Sequence, residues 1–188
     1  MSTISFIQAN LQHSTAASSI LTRTVGGTGI DVALIKEPWY RDIYIRGLSI
    51  PGYTLYSAGR KDTPRACILA RYMDTWALPG FSCRDLVEVQ MKYMEDGVER
   101  RLVVCSAYLP HYTESPPLSR ELDELVRYCE NKNLYLIVGC DSNVHHIAWG
   151  STNCNGRGEA LIDFLNFSNL EILNRGNEPN FAEERGKR

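Results

Sequence analysis

Residues 134–151 read LYLIVGCDSNVHHIAWGS. A short apolar run, Leu134 to Gly139, is followed by an acid, an amide and two imidazoles: Asp141, Asn143, His145 and His146. A run of this length, stopped by turn-forming residues, predicts a buried β-strand. Its exit has two readings. Asp and Asn after a strand are common loop and cap residues. Alternatively, a rigid strand tip holds reactive groups to the tolerance that catalysis needs. Asp141 and Asn143 are two apart, so an extended backbone projects both to the same face.

The pattern recurs elsewhere. ISFIQAN ends at Asn10, DVALIKE at Glu37 and LVVCSAY at Tyr108. Each is an apolar segment with a hydrogen-bonding or anionic group at its C-terminal end. Singly, each has an ordinary explanation: a turn former, a solvated acid before Pro38, an edge aromatic. Jointly, four such strands suit metal-assisted phosphoryl transfer. Glu37 offers a carboxylate to a hard cation, with Asn10 as a supporting amide. Asp141 is placed to orient or deprotonate a water. Asn143 and Tyr108 supply donors for phosphate oxygens.

The rest of the chain supplies the frame. Ser14 predicts a helix N-cap, and Gly26-Gly27 its end. YTLYS, RACILARY and DLVEVQMKY read as strands, and Glu95-Asp96-Gly97 as a hairpin turn into ERRLVVCSAYLP. Pro116-Pro117 predicts the start of a helix burying Leu118, Leu122, Leu125 and Cys129. A last helix buries Leu161, Phe164, Leu165 and Ser168, and LEILN reads as a final strand. Strands in mostly hairpin-like succession with at least three helices predict one α/β domain over 1–188, with two packed sheets and helices outside.

Net charge is −2 and the pI about 6.1, so no global basic field marks a nucleic-acid binder, and any such partner must meet local patches. Arg60, Lys61 and Arg65 form one candidate patch, and Arg100-Arg101 another; both are equally readable as solvated charge. The six cysteines form no CxxC pair and several lie inside apolar runs, which predicts reduced thiols rather than a zinc site. The adjacent His145-His146 lack the spacing of a zinc-binding helix pair. With no secretory signal and no apolar run of membrane-spanning length, the expectation is a soluble intracellular chain with no membrane partner.

FIQANLQHS, IDVALIKEPW, VVCSAYLP, LIVGCDSNVHHIAWGS and NGRGEALIDFLNFSNLEILNRGNEPNF, in this order over nearly the whole chain, resemble the endonuclease domain of non-LTR (LINE-type) retrotransposons. That domain belongs to the endonuclease/exonuclease/phosphatase superfamily, alongside apurinic endonucleases. The resemblance implies a four-layer α/β sandwich of two mixed sheets. It implies a Mg²⁺-dependent nick, with Mn²⁺ as a substitute ion, in double-stranded DNA. In an intact element the nick leaves a 3′-hydroxyl for a reverse transcriptase encoded downstream, and the work is done in the nucleus.

By position, the resemblance implies Glu37 as metal ligand and Asn10 as its supporting amide. Tyr108 contacts the scissile phosphate, Asp141 activates the water, and Asn143 stabilises the developing charge. His145, His146 and Trp149 fall in a segment expected to support the site or touch DNA. His13 stands where the family often carries an Arg that adds phosphate affinity. Beyond NEPNF the family continues through an Asp-bearing strand to a Ser-Asp-His motif, and no Asp in this sequence is followed by His. The expectation is therefore a domain incomplete at its C-terminus, lacking two strands and with impaired activity. The competing readings are a catalytically inactive remnant that binds DNA weakly, and a phosphatase of small phosphorylated substrates.

Overall fold

The computed structural model describes residues 3–58, 63–71, 74–78, 80–111 and 118–173. The chain divides into two compact units, one comprising Met1–Leu109 with Ser119–Ser142, the other Pro110–Leu118 with Asn143–Arg188.

All ten strands among the described residues belong to the first unit. One four-stranded sheet contains β1 (Phe6–Asn10), β2 (Val32–Lys36), β6 (Ala66–Arg71) and β5 (Tyr53–Ser57), in that spatial order. A second contains β10 (Tyr135–Asp141), β9 (Val98–Tyr108), β8 (Leu86–Glu95) and β7 (Thr75–Ala77). The short strands β3 (Tyr40–Arg41) and β4 (Tyr44–Ile45) form a separate hairpin. It turns through Asp42 and Ile43, both at positive φ, and its brevity hid it from periodicity arguments.

The expected succession of hairpins is only half the topology. β8 and β9 do form one, turning at Asp96 (φ 50°) and Gly97 (φ 81°), the left-handed pair a two-residue turn demands. But β1 pairs with β2 in parallel, and β9 with β10 in parallel. Parallel neighbours need a crossover, which α1 (Thr15–Thr28) and α2 (Arg120–Lys132) supply. Helix and strand signals were readable, but strand direction depends on which partner each strand finds.

The two sheets meet face to face. Val32, Leu34, Ala66, Ile68 and Ala70 of one interleave with Val87, Val89, Met91, Leu102 and Val104 of the other. The opposite face of the first sheet, through Ala33, Ile35, Cys67 and Leu69, packs against Leu21 and Val25 of α1. α2 packs on β10 and buries Leu122, Leu125, Val126 and Cys129. The layers of this unit are therefore helix, sheet, sheet and helix, the four-layer α/β arrangement expected from the sequence.

Close approach of the sheets depends on Gly139 in β10. A Cβ there would lie 2.5 Å from Leu34 Cδ1, 2.9 Å from Leu34 Cβ and 3.0 Å from Gln8 Oε1. Only a residue without a side chain fits.

Several boundaries differ from expectation. Ser14 caps α1, accepting from the Ala17 N–H at 3.2 Å, but the helix runs through Gly26-Gly27 and stops at Gly29 (φ 71°). The wholly buried Val25 and the seat of Gly26 on Ile50 hold that last turn in place against the glycine penalty. α2 starts at Arg120 with Ser119 as its cap, rather than at Pro116-Pro117, which lie outside the described residues. In the second unit, α3 (Gly156–Phe167) shows the expected stripe at Leu161, Phe164, Leu165 and Ser168, each half-buried. Residues 170–173 of the expected last strand are not extended into a sheet, and Asn174 lies outside the described residues. An apolar run becomes a strand only where a neighbour takes its hydrogen bonds.

Candidate active site

Strand register explains why four residues distant in sequence share one end of the first unit. Asn10 closes β1 opposite Lys36, the residue before Glu37, and Asp141 closes β10 opposite Tyr108. Each sheet thus contributes one parallel pair, and each pair carries its candidate groups at its C-terminal end. That is where open α/β sheets bind ligands.

The side chains join the sheets. Asn10 Nδ2 donates to Asp141 Oδ2 at 2.6 Å, and Asn10 Oδ1 accepts from the Gln12 N–H at 2.9 Å, which fixes the amide's orientation. The Tyr108 phenol lies close to the Glu37 carboxylate. Burial, then the adjacent Glu37 carboxylate, raise the Tyr108 phenol above its ordinary pKa, so it stays a donor at neutral pH. Farther in, Gln8 Nε2 donates to the Cys140 carbonyl at 2.9 Å, and Ser106 Oγ to the Ile35 carbonyl at 3.0 Å.

Glu37 sits at φ 45° and Asn143 at φ 49°, with Gln12 and His13 at 47° and 55°. Left-handed backbone at non-glycine residues is uncommon, and its recurrence beside these side chains is typical of functional sites. The Glu37 conformation is held by hydrogen bonds on both sides: its N–H donates to the Arg65 carbonyl at 2.8 Å and its carbonyl accepts the His13 N–H at 2.8 Å. The left-handed turn also corrects one expectation. β10 ends at Asp141, so no extended backbone carries Asn143 onto its face; Asn143 opens the second unit.

His13 approaches Glu37, Nε2 to Oε1 at 3.9 Å, while its Nδ1 meets the Pro38 carbonyl at 3.0 Å and its ring lies edge-on to Tyr40. A carbonyl can only accept, so Nδ1 carries a proton. The carboxylate of Glu37, the amide oxygen of Asn10 and the carboxylate of Asp141 make an all-oxygen donor set, which suits a hard cation such as Mg²⁺.

Lys36 escaped the sequence reading. It occupies the same inward face as Val32 and Leu34, has no exposed surface, and its Nζ has no hydrogen-bond partner. Burial lowers its pKa to about 8, partly offset by nearby Cys140 and Asp141. The signal was present: alternation along DVALIKE puts a charge at a core position.

Other basic candidates separate. Arg65 is not turned out toward a ligand; its guanidinium grips both carboxylate oxygens of Asp85 and lies over the Tyr108 ring, 4.9 Å from the centroid. Arg60 and Lys61 fall outside the described residues. Arg100 pairs with Glu95 at 3.3 Å, and Arg100 and Arg101 line a cleft of about 320 Å³ with Glu99 and Tyr135. That cleft is near the start of β9, roughly 25 Å along the strand from Tyr108 at ~3.3 Å per residue.

In the second unit His146 caps a 3-10 turn (Ile147–Trp149), its Nδ1 accepting the Ala148 N–H at 3.1 Å. Trp149 Nε1 donates to the Val144 carbonyl at 3.3 Å and stacks obliquely on His146. Gly158 of α3 abuts the His145 carbonyl so closely that a Cβ would overlap it. His146, Cys154 and Glu159 present ligand atoms within 4.8 Å of one another. The cap leaves the proton of a neutral His146 on Nε2, facing Glu159 at 3.6 Å, which favours a hydrogen bond over metal ligation. All six cysteines are free, as expected. No described helix is long and apolar enough to cross a membrane.

The endonuclease-reverse transcriptase family model matches residues 102–188. Among solved structures, the chain is similar to the endonuclease domain of TRAS1, a telomere-specific non-LTR retrotransposon. The identity is 27% and the TM-score 0.76, over 98% of this chain and 79% of that one. An endonuclease/exonuclease/phosphatase family protein from Bacteroides thetaiotaomicron shares the fold at 12% identity and TM-score 0.53, over 86% of this chain and 68% of that one. One from Leptotrichia buccalis does so at 15% and 0.52, over 87% and 72%. No curated protein sequence matches the chain.

Two sheets face to face, with acids and amides gathered where parallel strands end, give the chain the fold of the endonuclease/exonuclease/phosphatase family proteins it is similar to. Among proteins of this fold, the chain is similar in sequence and structure to the endonuclease domain of a non-LTR retrotransposon.

Proposed function

We propose that the chain is a Mg²⁺-dependent endonuclease domain that hydrolyses a phosphodiester of double-stranded DNA, in the nucleus, as the nicking part of a retrotransposon whose intact form also carries a reverse transcriptase. The observation that supports this reading most is the hydrogen bond from Asn10 to Asp141. It ties the C-terminal ends of β1 and β10 together beside Glu37 and Tyr108.

Asp141 accepts a proton from water as the water oxygen bonds to phosphorus. The bond from phosphorus to the 3′-oxygen breaks, and that oxygen takes a proton from solvent, leaving a 3′-hydroxyl and a 5′-phosphate. Asn10 donates to Asp141 Oδ2, which leaves Oδ1 for the water and fixes the plane of the carboxylate. Tyr108, kept protonated, donates to a non-bridging oxygen, and Asn143 adds a second donor. Glu37 and Asn10 would hold the ion, with Mn²⁺ as a substitute. The ion supplies positive charge against the phosphate oxygens.

The test is conversion of supercoiled plasmid to open circles with enzyme in excess over plasmid. Nicking should require Mg²⁺ or Mn²⁺, stop with EDTA, and fall by about 10²-fold or more in Asp141→Ala. Release of phosphate from inositol phosphates without plasmid nicking would replace this reading with a small-molecule phosphatase.

A further inference from the structure

Arg65 occupies a connecting position that neither its sequence nor its charge suggested. Its carbonyl accepts the N–H of Glu37 at 2.8 Å, so its backbone helps hold Glu37 in its left-handed conformation. Its Nε and Nη2 engage the two carboxylate oxygens of Asp85, a bidentate fork that fixes the guanidinium plane. That plane lies over the Tyr108 ring, 4.9 Å from the centroid. Asp85 is itself tied to Tyr108, its carbonyl accepting the Tyr108 N–H at 2.8 Å. The Tyr108 phenol in turn lies close enough to Glu37 to feel its carboxylate charge.

The contacts form a closed circuit: Glu37 to Arg65, Arg65 to Asp85, Asp85 to Tyr108, and Tyr108 back to Glu37. The Arg65 side chain retains 11% of its surface and Asp85 19%. A cation committed to a fork and an aromatic face at this depth is poorly disposed to meet a DNA phosphate. The circuit instead constrains two groups on different sheets, Glu37 after β2 and Tyr108 at the end of β9.

We propose that Arg65 is a positioning residue of the phosphodiester-cleaving site, acting through Asp85 and the face of Tyr108 to set the Tyr108 hydroxyl against Glu37, and that it does not contact DNA phosphate. This rests on the nuclease reading above. Displacing a positioned donor by about 1 Å is enough to lower turnover on the order of 10²-fold. The chemistry separates the two roles of an arginine. A phosphate contact needs only positive charge, which lysine keeps, whereas a fork and a stacking plane need the guanidinium.

The experiment is a double-mutant cycle on plasmid nicking, with DNA affinity measured over a range of salt concentrations. Arg65→Lys should lower kcat by roughly 10- to 100-fold with KM and the salt slope of DNA binding unchanged. Asp85→Asn, which keeps size and weakens the fork, should follow it in the same direction. In a Tyr108→Phe background, the further loss from Arg65→Lys should shrink below about threefold, because residues acting as a unit are not additive. Thermal melts of each variant identify any that fail to fold; Asp85→Asn in the same cycle then carries the test. An equal loss in both backgrounds overturns the proposal in favour of a general structural role. Retained kcat in Arg65→Lys overturns it too, as does a salt slope reduced by about one in Arg65→Ala, the mark of a lost phosphate contact. If the unmutated chain cleaves no phosphodiester, the nuclease reading falls first and this proposal with it.

Discussion

Asn10 and Asp141, 131 positions apart, are joined at 2.6 Å across the two sheets, amide to carboxylate. The bond exists because each residue ends a strand that runs parallel to its neighbour, so the chain reaches the same edge four times. A carboxylate held by an amide, rather than by another acid, keeps its charge without like-charge repulsion. Asn10→Asp would place two carboxylates in that contact. The expected outcome is a lower melting temperature than the parent at pH 7, with the gap closing as pH falls below about 4 and one acid becomes protonated. Melting curves across pH check it; an unchanged gap would show that the contact does not persist in solution.

Gly139→Ala should destabilise the protein by roughly 1–3 kcal/mol, as overpacking does. The new methyl meets Leu34 Cβ at 2.9 Å, an atom fixed to the backbone of β2, so a rotamer change alone gives no relief. Urea denaturation measures the loss. Trimming the obstacle with Leu34→Ala removes the Cδ1 contact only, so the double variant should recover less than the full loss.

Lys36→Met should stabilise the fold. The ammonium is fully buried without a hydrogen bond, and replacing such a charge by an apolar group of similar volume is often worth about 1–4 kcal/mol. Because the folded-state pKa is lowered from 10.5 to about 8, the folded protein releases this proton before the unfolded chain does. Stability from this group therefore rises with pH between about 8 and 10.5. The difference in stability between parent and variant should narrow over that interval; a constant difference would mean Lys36 is solvated.

Glu88 gives the opposite slope at lower pH. Burial raises its carboxyl from 4.5 to about 7, despite the Ser82 hydroxyl at 3.0 Å favouring the charged form. Between those two pH values the folded state keeps a proton that the unfolded chain has lost, so stability falls as pH rises, by roughly 3 kcal/mol in full. Glu88→Gln should flatten that slope. Chemical denaturation at pH 4.5, 5.5 and 7 checks it, and a parent with no slope in this range would place Glu88 in contact with water.

The sequence by itself determined most of the longer strands, the capping role of Ser14 and the four polar strand ends, because burial periodicity and cap chemistry are local and survive in one dimension. It also carried the family motifs around Asn10, Glu37, Tyr108 and Asp141. What it could not decide was direction and neighbourhood. Whether β9 meets β10 in parallel depends on α2 finding a face to cover, and Arg65 read as a free cation because its acid is 20 residues away. Gly26-Gly27 looked like a helix end, but α1 runs on past them to Gly29, with Val25 beside them wholly buried. Lys36, passed over in the sequence, proved to be a charge buried in the core. In each case the deciding term is a contact between residues far apart in the chain. Its free energy exceeds the local preference, and it has no value until the fold brings the partners together.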